Sequence, residues 1–379
     1  MMSKKEGNMQ TFLNHKLITT NIIPSNKTSF SCFEEIVEIY TKEGYGVMTQ
    51  DRVRNHAYRS SICFVIKKLN KKACFVLEIG PGADACLTKM ILDNGPLIRY
   101  VGLEGNEKSV NLCVKRLKSE YDSKNWQIIR TLSTNPTKII TDFYRTADLL
   151  VHELIGLIAS REGMVYVLDD VCQRNNGKLP RTIPHSVATF FTPTFINSHT
   201  WKPQQIKKVL DYPNILLTHF PFENKTNAPF LPQCALLEYI NCSKDQVIDK
   251  NKIQTFTTSF QVKEQMIINS LTGFIWVGFD GNNRRKSELI PFIQDKHDLT
   301  QDMMQCDYNF TTSKFFPPHS NAWSNLVLMF AKDLVLQEHS RITIENSVNF
   351  KTIIPIYTWN VEVYLPDGQK SYSEIFTLE

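Results

Sequence analysis

Between residues 74 and 155 short apolar runs alternate with amphipathic stretches. "ACFVLEIGPG" is a brief β-rich run that stops at glycines, "ADACLTKMILDNG" has helical spacing, "RYVGLEG" is a second strand and "NEKSVNLCVKRLKSEY" a second helix. Strand and helix in that rhythm predict a parallel sheet with both faces covered, to which "WQIIRTL" and "ADLLVHELI" add two strands. Upstream, Phe33, Ile36, Val37 and Tyr40, then Val53, Ala57 and Ile62, recur at helical spacing. The pattern predicts helices over 31–72 that lead into an α/β, Rossmann-like domain over 73–186. Residues 1–30 have no sustained period and are expected to form a flexible arm.

After about residue 185 the texture changes. Prolines cluster, the helical pattern fades, and alternating runs such as "HSVATFFTPTFI", "GFIWVGFDG", "NLVLMFAKDLVL", "RITIENSV" and "WNVEVYL" take over. They predict a mainly antiparallel, β-barrel-like domain over 187–379. Within it, about 198–235 lacks the alternation and carries Trp201, Leu210, Ile215, Leu216, Phe220 and Phe222, which predicts an inserted arm with an apolar surface.

Composition changes this picture little. The chain has 379 residues, 42% hydrophobic and 21% charged, the range of globular proteins. No apolar run reaches the roughly 18 residues of a membrane span, and no secretory signal pattern follows the basic N-terminus. Nine cysteines without ligand spacing fit reduced thiols of the cytoplasm, with the nucleus open to a eukaryotic chain, and offer no metal site. The net charge of +5 comes without a block of like charges, which speaks against a nucleic-acid partner.

The candidate chemistry lies at the strand ends. Gly80 and Gly82 follow a strand and precede a helix, where backbone can approach a ligand. Glu104 ends the next strand, 24 residues past Gly80, the place for an acid that accepts hydrogen bonds from ribose hydroxyls. The third glycine of a dinucleotide fingerprint is missing, with Asp84 and Ala85 in its place, and a cofactor without pyrophosphate does not need it. In "VHELIGLIASREGM", Glu153 and Glu162 stand nine positions apart in an apolar stretch. Ionised carboxylates are costly to bury alone, so the pair asks for a cation. His152 and His199 read as structural.

These motifs together resemble a family. "VLEIGPG" and "VGLEGNE" are similar to motif I and the following strand of class I S-adenosylmethionine methyltransferases, and "HELIGLIASREGM" resembles the double-glutamate loop of protein arginine methyltransferases through Glu153, Gly156, Glu162 and Met164. "VMTQDRVRNHAY" is similar to the family's Met-x-x-Asp-x-x-Arg segment through Met48, Asp51 and Arg54. There are departures: Asp84 stands where a glycine is usual, and Ser133 or Thr134 lies near the place of the acid set against the adenine amine. "HSNAW", residues 319–323, keeps Trp323 of the family's Thr-His-Trp loop, with Ala322 in place of its histidine and His319 three residues away.

The resemblance implies an S-adenosyl-L-methionine site built from Arg54, Glu78, Gly80, Gly82 and Glu104. It implies Glu153 and Glu162 as a clamp on a substrate guanidinium, and Met48, Met164 and Trp323 as walls of its pocket. It also implies that the inserted arm forms a homodimer. The substrate could be a protein arginine or free L-arginine, since a net-positive chain offers basic protein substrates little steering. A crowded pocket without the loop histidine predicts mainly monomethylation. A different class is an inactive paralogue that serves as dimer partner or scaffold.

Overall fold

Helix α1 (Arg52–Leu69) begins where the Asp51 side chain accepts the Arg54 N–H at 2.9 Å, a side-chain N-cap. It stops at Asn70, whose φ of 45° is left-handed. Arg54, Ala57, Tyr58, Ser61, Ile62 and Val65 form its buried stripe, at the three- and four-residue spacing of one helix face. Five of these belong in such a stripe; Arg54 needs a partner, which the site provides. The computed structural model describes residues 9–13, 16–20, 48–70, 73–196, 207–209, 212–218, 234–280, 308–311 and 325–378.

The parallel sheet is built from β3 (Cys74–Ile79), β4 (Ile98–Glu104), β5 (Trp126–Arg130), β6 (Leu149–His152) and β7 (Thr182–Ile183), in the order β5-β4-β3-β6-β7. Near the N-terminus, β1 (Met9–Leu13) and β2 (Lys16–Thr20) pair as a hairpin within the segment expected to be an arm. The connecting helices are α2 (Cys86–Leu92), α3 (Glu107–Glu120), α4 (Lys138–Thr146) and α5 (Met164–Arg174). Helix α3 is capped by Asn106, which accepts the Ser109 N–H at 3.0 Å. Because the strand order turns between β3 and β6, loops leaving their carboxyl ends diverge and open a crevice there. The glycine turn follows β3, Glu104 closes β4 and Glu153 follows β6, so three adjacent strands deliver the candidate residues to one edge.

The second half is antiparallel, as its alternation predicts. One sheet runs β11 (Ala235–Asn241), β8 (Ser186–Thr194), β13 (Met266–Phe279), β15 (Asn325–Leu336), β10 (Tyr212–Thr218) and β9 (Lys207–Val209), with β14 (Tyr308–Thr311) on β13. The other runs β12 (Ile253–Gln261), β16 (Arg341–Asn349), β17 (Ile356–Tyr364) and β18 (Lys370–Leu378). Two stretches of the expected arm, β9 and β10, pair with each other, and β10 pairs with β15; most of the rest of 198–235 lies outside the described residues. In the middle of β13, Gly273 faces Phe191 across the ladder, and a Cβ there would stand 2.6 Å from the Phe191 ring. The ring can cross the strand only because that carbon is missing, and it meets Trp359 of the other sheet edge to face at 5.2 Å. Tyr58 of α1 meets Phe279 at 4.9 Å, which packs the helix against the β domain.

No helix among the described residues is long and apolar enough to cross a membrane, and among them no cluster of three His, Cys, Asp or Glu could hold a metal ion.

Candidate functional site

The cation that Glu153 requires is Arg54. Its Nε and Nη2 donate to the two oxygens of Glu153, a two-point pairing of a planar fork with a carboxylate. Nη1 turns the other way, to the Met48 carbonyl at 3.3 Å and to Asn55 Oδ1. Arg54 is 2% exposed and Glu153 10%. Burial pulls the Arg54 guanidinium down, but the charge and hydrogen bonds of Glu153 outweigh it and hold Arg54 above its ordinary value. Residues 99 positions apart are thus joined beside the sheet edge.

Glu162, the second carboxylate, is half-buried and stands just before α5, whose first residue is Met164. The chain from Glu153 to Gly163 forms a compact loop with internal bonds from Gly156 N to Ala159 O, from Arg161 N to Ile158 O and from Gly163 N to Ser160 O. Gly156 stands where this loop folds back. A Cβ there would stand 3.1 Å from Arg161 Cβ and 3.2 Å from Glu162 Cγ, so a side chain would press on the second glutamate. Met164 is fully buried in the core, while Met48 is half-buried and touches the site through its carbonyl.

On the neighbouring strands, Glu104 accepts the Gly82 N–H at 3.0 Å and the Asn106 N–H at 2.9 Å. Burial raises its carboxyl above the usual range, partly offset by these backbone donors. Glu78 is fully buried, and its Oε2 accepts from Thr88 Oγ1 at 2.8 Å and from Tyr100 OH at 2.6 Å. Its Oε1 has no hydrogen-bond partner among the described residues. Burial pushes Glu78 up to about 7, against the hydrogen bonds of Tyr100 and Thr88. Gly80 has a φ of +73° and nothing within 4 Å of where a Cβ would stand, so the turn presents bare backbone to open space. Ala85, in the place of the absent third glycine, takes a left-handed φ of 51°, which costs about 1 kcal/mol in a residue with a Cβ.

Asp84, where a glycine was expected, bridges two elements. It pairs with Arg116 of α3 at 2.7 Å and accepts from Thr49 Oγ1 at 3.2 Å, tying the residues ahead of α1 to the glycine turn. Ser133 and Thr134 lie beyond the end of β5, with their carbonyls held by Tyr144 OH at 2.7 Å and Arg174 Nη2 at 2.6 Å. His152 is fully buried and burial lowers it to about 3, so it is neutral, as a structural histidine should be. Trp323, His319, His199 and Trp201 lie outside the described residues.

The structure therefore brings Arg54 to Glu153 and Glu104 to Gly82, and it sets Glu78 beneath the same turn. Sequence reasoning missed Glu238, a fully buried carboxylate of β11 that holds the loop between the two glutamates. Its signal was present: a lone acid in the apolar run "ALLEYI", the same mark that singled out Glu153.

No protein-family model matches the sequence, and no curated protein matches it. Solved structures do. Protein arginine methyltransferase 10 of Arabidopsis thaliana, in an open conformation, aligns with a TM-score of 0.65 and 13% identity over 92% of this chain and 100% of that one. The PRMT1 enzyme–prozyme heterotetrameric complex of Trypanosoma brucei with AdoHcy aligns with a TM-score of 0.61 and 14% identity over 88% of this chain and 98% of that one. The chain has the fold of the protein arginine methyltransferases: a Rossmann-like domain followed by a β-rich domain of antiparallel sheets.

Proposed function

We propose that this fold serves here as an S-adenosylmethionine-dependent N-methyltransferase of an arginine guanidino group, in protein arginine or in free L-arginine. One observation carries the reading: Glu153 already grips a guanidinium at two points, that of Arg54, at the carboxyl edge of the sheet. A carboxylate that fits one guanidinium in this way has the geometry to take another.

The residues present suit the cofactor. Open space over Gly80 and the unpartnered Oε1 of Glu78 leave room and an acceptor at the glycine turn. Glu104 would turn its oxygens from Gly82 to ribose hydroxyls, Glu78 would face the amino acid portion, and Arg54 would hold its carboxylate. S-adenosylmethionine would supply an electrophilic methyl group on a sulfonium. Glu153 and Glu162 would hold the substrate guanidinium, draw positive charge away from one Nη and offset its repulsion from the sulfonium. The guanidine lone pair is delocalised, so alignment by the two carboxylates is the main task of the protein.

Arg54 is asked for by both the cofactor and Glu153. The shift of Arg54 towards a cofactor carboxylate would free Glu153 for substrate, which gives an order of binding with cofactor first. The same pairing favours a second reading, an inactive partner or scaffold, because a carboxylate saturated by its own arginine binds no other. A mass spectrum after incubation with labelled cofactor, free arginine and a Gly/Arg-rich peptide separates these. Label in the peptide or in free arginine supports transfer and names the substrate; label in neither leaves the scaffold.

Glu104→Ala should weaken S-adenosylhomocysteine binding in calorimetry at least tenfold, more than it affects folding, since the ribose loses its acceptor while the cost to the fold is limited to the N–H groups of Gly82 and Asn106. Binding unchanged by this substitution would remove Glu104 from the site. The product should be mainly monomethylarginine. The expectation rests on the bulk of Met48 and Met164 beside the site and on Ala322 in the place of the usual loop histidine. A time course with excess cofactor tests this: dimethylated product that dominates at completion would show a roomier pocket. We place the enzyme in the cytoplasm as a homodimer joined through the 198–235 arm, for which light scattering at micromolar concentration should give twice the chain mass.

A further inference from the structure

We infer that Glu238, in the β domain, is a positioning residue for the catalytic loop: it fixes Ala159 and Ser160 and thereby sets the position of Glu162 relative to Glu153. The inference rests on the methyl-transfer reading for its catalytic consequence, but its structural part stands on contacts alone.

Ala159 and Ser160 are fully buried, and they belong to no helix or strand. Their backbone N–H groups need acceptors from elsewhere, because a buried donor without one is costly. The β domain supplies both. Ser160 N donates to Glu238 Oε1 at 3.0 Å, and Ser160 Oγ donates to Glu238 Oε2. Ala159 N donates to Thr189 Oγ1 at 2.9 Å, and that hydroxyl in turn donates to Glu238 Oε1 at 2.7 Å. Tyr357 OH closes the group at 2.9 Å from Ser160 Oγ.

The register explains why these residues meet. Glu238 and Thr189 are direct partners on β11 and β8, just past a shift in the ladder after Leu236. A carboxylate suits the position because three donors converge on it, two hydroxyls and one amide. Burial still leaves Glu238 raised above the usual carboxylate range, with Ser160 and Thr189 opposing that shift. Fully burying an acid in a strand is expensive, and the hydrophobic residue that would otherwise stand there could not hold the loop.

The consequence reaches the chemistry through a short lever. Ser160 is two residues before Glu162, and Gly156, packed against Glu162 Cγ, closes the other side. Loss of the anchor loosens the loop that carries the second glutamate, and misplacement by about 1 Å can cost roughly 100-fold in rate.

The test uses the full chain and three variants. Glu238→Ala should raise amide hydrogen exchange over residues 156–163 at least tenfold and lower kcat at least tenfold, with the KM for S-adenosylmethionine within about threefold. Glu238→Gln should restore most of both: its oxygen can still take Ser160 N–H and Thr189, while its amide donates to Ser160 Oγ, which turns. Thr189→Val, which removes the acceptor of Ala159 N–H and one of the three donors to Glu238 but leaves both Ser160 bonds, should fall between them, and it keeps the test open if the alanine variant fails to fold. Exchange over 156–163 unchanged in Glu238→Ala or Thr189→Val would overturn the anchor. Faster exchange with kcat unchanged would overturn its catalytic role, and so would a loss of kcat that Gln does not relieve and that comes with a rise in cofactor KM. A wild-type chain that methylates neither arginine nor peptide sinks the methyl-transfer reading instead, and the exchange data then decide the anchor by themselves.

Discussion

Glu153→Gln and Glu162→Gln should each lower turnover by two or more orders of magnitude, while S-adenosylhomocysteine binding survives in both. The loss follows from removing a preorganised charge contact worth a few kcal/mol at the transition state. The structure also separates the two variants. Glu153 neutralises Arg54, which is 2% exposed, so a glutamine there leaves a buried guanidinium without its counter-charge. That should cost roughly 3 kcal/mol of stability, the scale for breaking one side of a buried ion pair. The two-point pairing of Arg54 is with Glu153, so this cost belongs to the Glu153 variant, and Glu162→Gln is read by its rate. Turnover and thermal denaturation measured side by side check both halves. Unchanged turnover in both variants would sink the clamp, and a melting temperature of Glu153→Gln equal to that of the unmodified chain would sink the account of Arg54.

Much of this site was legible in the sequence because its residues sit at the ends of short elements. The apolar runs that became β3, β4, β5 and β6 are bounded by glycines or polar residues, so Gly80, Glu104 and Glu153 could be assigned to strand ends before any contact was known. Pairings were not legible. Arg54 and Glu153 each carried a signal, yet nothing in their separation of 99 positions says that they meet. The same holds for Glu238 and Thr189, 49 positions apart: antiparallel partners depend on register across a sheet, which local periodicity does not encode. The helices α4 and α5 were missed for a different reason. "KIITDFYRT" is short and rich in β-branched residues, and only Ile140 and Tyr144 are buried, a stripe too brief to stand out. "MVYVLDDVCQR" reads as an apolar run, and its helix starts at a glycine without a side-chain cap. The departure at Asp84 was seen, but its two partners, Thr49 and Arg116, come from elements before and after the turn.

A second large effect concerns pH, and Glu78 is its source. Burial pushes this carboxyl from 4.5 up to about 7, against the hydroxyls of Tyr100 and Thr88. Below pH 4.5 the folded and unfolded chains both hold the proton, and above about 7 both have lost it. Between those values only the folded chain keeps it, so the contribution of Glu78 to stability falls as pH rises through that window and then levels off. The span of the shift corresponds to on the order of 3 kcal/mol. His152 acts in the opposite sense: burial lowers it to about 3, so acid favours the unfolded chain between its ordinary value and that point. The raw melting temperature against pH therefore mixes both groups, and the comparison with Glu78→Gln isolates one. The amide carries no charge at any pH and can still accept from Tyr100 and Thr88 through its oxygen. Its stability relative to the unmodified chain should rise from pH 5 to about pH 7 and level off towards pH 8. Urea unfolding at pH 5, 6, 7 and 8 measures this directly. A difference that stays flat over the range would mean that Glu78 is ionised throughout, and that its Oε1 is held by a donor strong enough to cancel the cost of burial.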